Sequence, residues 1–130
     1  MSKEILLRLF EISKQKKIID EDLITFIEKI FPDKSIDVLE SLKRGVTKYT
    51  YEPSNRIAWT VMGTNQEHLI YPKSYCSCQD FYKSVVINKK RNYCKHILAQ
   101  IISEGLNNYK EVTLEESKFK ELVKDLKLMI

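Results

Sequence analysis

The apolar positions change their period twice along this chain. Over residues 3–16, Ile5, Leu9 and Ile12 recur at helical spacing, with Leu6 and Phe10 widening the stripe, and predict a first helix. Asp20 reads as the N-cap of a second helix, with Ile19 and Ile24 placed for a hydrophobic staple. That helix carries Leu23, Ile27 and Ile30 on one face, and Phe31-Pro32-Asp33 ends it. A third helix over Ser35–Arg44 turns Val38, Leu39 and Leu42 inward and stops at Gly45.

After Gly45 the period becomes two. Val46–Tyr51 is β-branched and aromatic, Glu52-Pro53-Ser54-Asn55 is turn chemistry, and Arg56–Met62 alternates. Ile57, Trp59 and Val61 share one side of that strand, Ala58, Thr60 and Met62 the other. Gly63-Thr64-Asn65 turns the chain into a strand over His68–Tyr71, and Pro72-Lys73-Ser74 turns it again. Asp80–Ile87 is a short helical face with Phe81, Val85 and Val86, and Asn88–Asn92 is a basic loop.

The helical period returns over Cys94–Glu104, with Leu98, Ile101 and Ile102 inward and Gly105 as the stop. Asn107-Asn108 is a loop. Thr113-x-x-Glu116 reads as a capping box opening a last helix. Its apolar side is Phe119, Leu122, Val123, Leu126, Met129 and Ile130, either docked on the core or offered to a partner. The expected fold class is therefore α+β: a helical N-terminal region (1–45), a small antiparallel β-meander leading into a β–helix unit (46–105) and a C-terminal helix (106–130), all in one domain of 130 residues.

Composition narrows the class. The chain is 43% hydrophobic and 31% charged, ordinary for a globular domain, and no apolar run approaches the ~18 residues of a membrane span. The opening residues mix acid with base and lack a small-residue cleavage site, so they read as helix rather than signal peptide. The expected location is cytoplasmic, or nuclear in a eukaryote, where thiols stay reduced. A net charge of +4, mostly lysine, does not by itself mark a nucleic-acid binder. With three glycines in the chain there is no Gly-rich phosphate loop.

The chemistry lies in Cys76-x-Cys78 and Cys94-x-His96, which use all three cysteines. Three thiolates and an imidazole form a tetrahedral zinc set, and the odd cysteine count argues against disulfides. In an extended strand Cys76 and Cys78 leave the same face. In a regular helix Cys94 and His96 would point about 200° apart, so they can share a metal only at the start of their helix, before it is regular. His68, a polar residue in a strand, is read as a non-ligand. The loop cations Lys89, Lys90 and Arg91 allow three readings: a solvated turn, charge balance for an anionic zinc site, or phosphate contacts with Tyr82 and Tyr93 as stacking faces.

The pattern Cys-x-Cys, gap, Cys-x-His resembles the SWIM zinc finger. Within that family it is most similar to the small stand-alone SWIM subunits of Shu-type recombination mediator complexes, which carry a further alanine three residues after the histidine, here Ala99. The likeness takes in Tyr75-Cys76-Ser77-Cys78, Phe81 and the approach strand Arg56–Gly63, and covers residues 46–105 best. It implies a structural zinc ion and a non-enzymatic adaptor in homologous recombination and DNA repair. The implied partner is a RecA/RadA-family paralogue, with which the protein would promote recombinase filament assembly on single-stranded DNA. Ala99 would then serve packing or the partner interface. The alternative is an independent nucleic-acid-binding finger. A metalloenzyme ranks last, because four protein ligands close the coordination sphere.

Overall fold

The computed structural model describes residues 2–89 and 93–129. Of the apolar positions expected on the last helix, the side chains of Leu122, Val123, Leu126, Met129 and Ile130 lie outside the described ones.

Three helices come first: α1 (Ser2–Lys16), α2 (Glu21–Ile30) and α3 (Ser35–Arg44). The inward seam of α1 is Leu6, Leu9 and Ser13 rather than Ile5, Leu9 and Ile12; Ile5 is exposed and Ile12 half-buried. A serine can sit in that seam because its hydroxyl donates to the Leu9 carbonyl at 2.9 Å, which satisfies it within its own helix. Asp20 caps α2 as expected: its backbone is extended and its carboxylate accepts from the Leu23 N–H at 2.9 Å. In α3, Val38 is buried together with Ser41, while Leu39 and Leu42 are half-buried. Gly45 ends α3 with φ +118°, a conformation that side chains rarely adopt, and its carbonyl accepts from Met62 N–H.

The sheet follows as β1 (Val46–Glu52), β2 (Arg56–Met62), β3 (Glu67–Tyr71) and β4 (Tyr75–Cys76), paired antiparallel in sequence order. One row of partners runs Lys48–Trp59–Ile70–Cys76 across these four strands. His68 pairs with Val61, so it lies on the same side of the sheet as Trp59, Ile70 and Cys76. Covering that side is α4 (Lys95–Leu106), which is buried nearly all round because it is wedged between the sheet and helices α1 and α3. Between β4 and α4 the chain makes a π-helix over Phe81–Ile87, anchored by buried Phe81, with Val86 exposed.

Two expectations fail after α4. Gly105 does not stop the helix. It lies inside it, and the helix ends on Asn107 in the left-handed conformation. Nor does Thr113-x-x-Glu116 form a capping box. Lys110–Glu115 is a fifth strand, β5, parallel to β1, with Val112 and Leu114 half-buried in alternation. The sheet order is β4-β3-β2-β1-β5, so the antiparallel meander is joined by one parallel strand and the sheet is mixed. The class remains α+β. The last helix, α5, starts at Glu116. Its Phe119 packs edge-on to Tyr51 at 5.2 Å, over the second side of the sheet with Ala58 and Leu69.

Candidate metal centre

β4, the turn after it and the start of α4 together form the site. Cys76 is the last residue of β4, held against Ile70 of β3. Ser77 extends the pairing one step further: its N–H donates to the Leu69 carbonyl at 3.0 Å, and its hydroxyl accepts from the Leu69 N–H at 2.9 Å. This keeps Cys76-Ser77-Cys78 stretched, so both thiols leave one face. Cys78 Sγ accepts from the Phe81 N–H at 3.3 Å, at the first turn of the π-helix. Cys94 is the residue before α4, with extended backbone (φ −113°, ψ 173°), and His96 is the second residue of the helix. That break in the helical angle lets a Cys-x-His pair share one point, as the spacing required.

The structure brings the four expected ligands together. The donor atoms of Cys76, Cys78, Cys94 and His96 all lie within 4.8 Å of one another, and all four residues are buried. Nδ1 of His96 is 3.7 Å from Cys76 Sγ. Tetrahedral zinc, with bonds of about 2.3 Å to sulfur and 2.0–2.1 Å to nitrogen, places such donors about 3.6 Å apart, so the set fits that ion. The thiols differ electrostatically. Burial pushes Cys76 up, and pushes Cys94 up to about 12. Cys78 goes the other way, because the thiols of Cys76 and Cys94 and the Phe81 N–H all donate towards it. A bound dication would favour the thiolate form of all three, since the metal ligand is the deprotonated sulfur.

Beside the set stands His68. Its donor atoms are not among the four, in line with the non-ligand reading, but its ring lies on that of His96, with centroids 4.6 Å apart and planes 35° apart. Burial, then the neighbouring His96, hold His68 below the usual imidazole range. Sequence reasoning missed this contact, Ser77 and the Phe81 N–H. The two-residue spacing from His68 to Ile70 was the one available signal for the first.

The other expected positions are placed as follows. Ala99 is fully buried within the main core. Lys89 is exposed, with φ +53°, while Lys90 and Arg91 lie outside the described residues. Tyr82 is exposed, but Tyr93 is not a stacking face: its hydroxyl donates to the Ile30 carbonyl at 2.6 Å and its ring packs on Phe31. Among the described residues no helix is long and apolar enough to cross a membrane.

The family model of the SWIM zinc finger matches residues 69–103, from β3 through the four donors to α4. The chain is 30% identical over 126 residues to the zinc finger SWIM domain-containing protein 7 homolog of Dictyostelium discoideum, covering 92% of this chain and 78% of that one. It is 27% identical to zinc finger SWIM domain-containing protein 7 of Mus musculus, over 81% of this chain and 70% of that one. For the Homo sapiens protein of the same name the identity is 23%, over 86% and 81%. No solved structure matches. The likeness to the Dictyostelium protein runs through the flanking helices as well as the finger, and the finger carries a buried zinc-type donor set, so the chain belongs to the SWIM zinc-finger family of these relatives.

Proposed function

We propose that Cys76, Cys78, Cys94 and His96 hold a structural zinc ion, and that the chain is a non-enzymatic adaptor in homologous recombination and DNA repair. In this reading it pairs with a RecA/RadA-family paralogue and promotes recombinase filament assembly on single-stranded DNA. The carrying observation is the closed, buried donor set: four protein ligands leave a tetrahedral ion no position for substrate. A site of that kind stiffens a scaffold. Here it ties β4 to α4, the helix on which α1, α3 and the sheet all pack. No Gly-rich nucleotide loop is present, so ATP chemistry in such an assembly would come from the partner. Exposed apolar side chains outside the zinc set, among them Leu7 on α1, Ile18 between α1 and α2, and Ile36 on α3, offer contact surface.

The test is affinity purification of the chain from its native source, with salt titration of what it binds. A co-purifying RecA-family protein whose association tolerates salt supports the adaptor. Tight single-stranded DNA binding by the chain alone, falling steeply with salt and with no such partner, would replace it by the nucleic-acid-binding finger.

A further inference from the structure

A histidine that ligates a metal usually has its other ring nitrogen held by a carboxylate or a carbonyl, which fixes the ring's orientation. Among the described residues, His96 has no such hydrogen bond to a carboxylate or carbonyl; its polar contacts are with the thiols, Cys76 Sγ at 3.7 Å among them. What it has is a neighbouring ring, that of His68, tilted 35° to its own plane with centroids 4.6 Å apart. His68 is itself closely packed. A Cβ built on Gly63 would lie 2.5 Å from His68 Nε2 and 2.8 Å from its Cδ2, so the backbone of the β2–β3 turn lies close against these ring atoms, and the ring of His96 is its other neighbour. That turn is pinned by the Gly63 N–H donating to the Gln66 carbonyl at 2.7 Å. Nδ1 of His68 is buried and has no hydrogen-bond partner among the described residues.

We propose that His68 is a positioning residue of the zinc site. Packed close to both Gly63 and His96, its ring holds the imidazole of His96 with Nδ1 towards the three thiols. The terminal torsion of a histidine is broad and roughly two-fold, so an unrestrained ring can turn a carbon towards the metal instead. A ring packed against it restricts that freedom without a hydrogen bond. The register of the sheet supplies the contact: His68 lies two residues before Ile70, whose cross-strand partner is Cys76, so β3 places the ring and β4 the thiol on the same side under α4.

The proposal rests on the zinc reading above, and the experiment separates the two. Full-length His68→Phe, His68→Leu and Gly63→Ala variants are compared with the unmodified chain by zinc competition against a chromophoric chelator. The absorption spectrum of the Co²⁺-loaded form is recorded for each, with far-UV circular dichroism as a check on folding. Phenylalanine keeps a ring without a nitrogen and should retain zinc affinity within about threefold, with an unaltered cobalt spectrum. Leucine fills the space without a ring and should weaken zinc by about 10–100-fold and shift the cobalt bands. Gly63→Ala, which displaces the ring, should move both readouts in the same direction. The proposal is overturned if leucine matches the unmodified chain, if phenylalanine is as weak as leucine, or if Gly63→Ala changes neither readout. If the unmodified chain takes up no zinc, the zinc reading fails and this one with it.

Discussion

Gly105 of α4 and Ser13 of α1 meet where the two helices cross: a Cβ on Gly105 would come 2.7 Å from Ser13 Cβ and 2.8 Å from the Phe10 carbonyl oxygen. Mid-helix Gly→Ala normally stabilises by about 0.5–1 kcal/mol. Here the methyl would strike backbone, and overpacking of that kind costs ~1–3 kcal/mol. Gly105→Ala is therefore expected to lower stability in urea unfolding, opposite in sign to the change at a free helical glycine. A stabilised variant would mean that the crossing is looser than described.

Removing zinc should loosen one end of the molecule first. Structural zinc in finger peptides contributes ~10–16 kcal/mol of apparent binding free energy. In this chain Leu6, Leu9, Leu23 and Ile27 of α1 and α2 belong to a core much larger than a finger peptide's, so helical parts of the fold should persist. Cys76→Ser, or a chelator, is expected to lower the melting temperature sharply. Amide exchange should quicken around Leu69, Ile70 and Ile97 before it does in α1. A melting curve indifferent to chelator would contradict a structural role.

Zinc affinity should depend on pH through the thiols. Burial raises Cys76 and Cys94 above the usual thiol range, so in the metal-free protein both carry protons at neutral pH, whereas Cys78 is lowered by the thiols that donate to it. The metal must displace the first two. Protons compete with zinc, so affinity is lost as pH falls and gained as it rises. Competition titrations at two pH values check the slope, and proton release on zinc addition checks the count. A flat profile would place the thiols in the ionised form beforehand.

Ala99→Thr should act on the fold itself. Ala99 is fully buried on α4, and a branched side chain there needs room that the core does not have. A loss of ~1–3 kcal/mol is expected, visible in the isolated chain by thermal unfolding. Unchanged melting with loss of the partner alone would make the alanine an interface residue.

The zinc donors were legible because each is chemically distinctive and its spacing is local. What the sequence left hidden depends on contacts between distant segments. The α1 stripe could be drawn through Ile5 or through Leu6, since both include Leu9; the choice falls to Ser13 because Gly105 of α4 leaves room beside it. Gly105 looked like a stop for the same reason: a glycine near a helix end and one under a crossing helix are identical in sequence. Thr113 and Glu116 spell a capping box, but parallel pairing with β1 outweighs that local signal. Tyr93 sits beside a basic loop, where one of three readings makes it a stacking face, yet the Ile30 carbonyl takes its hydroxyl inward.

The pairing of β5 with β1 bears on where this protein can be cut. The family motif invites a fragment ending near residue 105, with the metal intact. Such a fragment would lose the neighbour that registers Thr47 with Lys110 through Glu52 with Glu115, and would bare a seven-residue edge strand bearing Tyr49 and Tyr51. Open edges of that length recruit other chains. The finger would then be metal-loaded and still prone to associate with itself, through a ladder that the intact polypeptide closes with its own C-terminal segment.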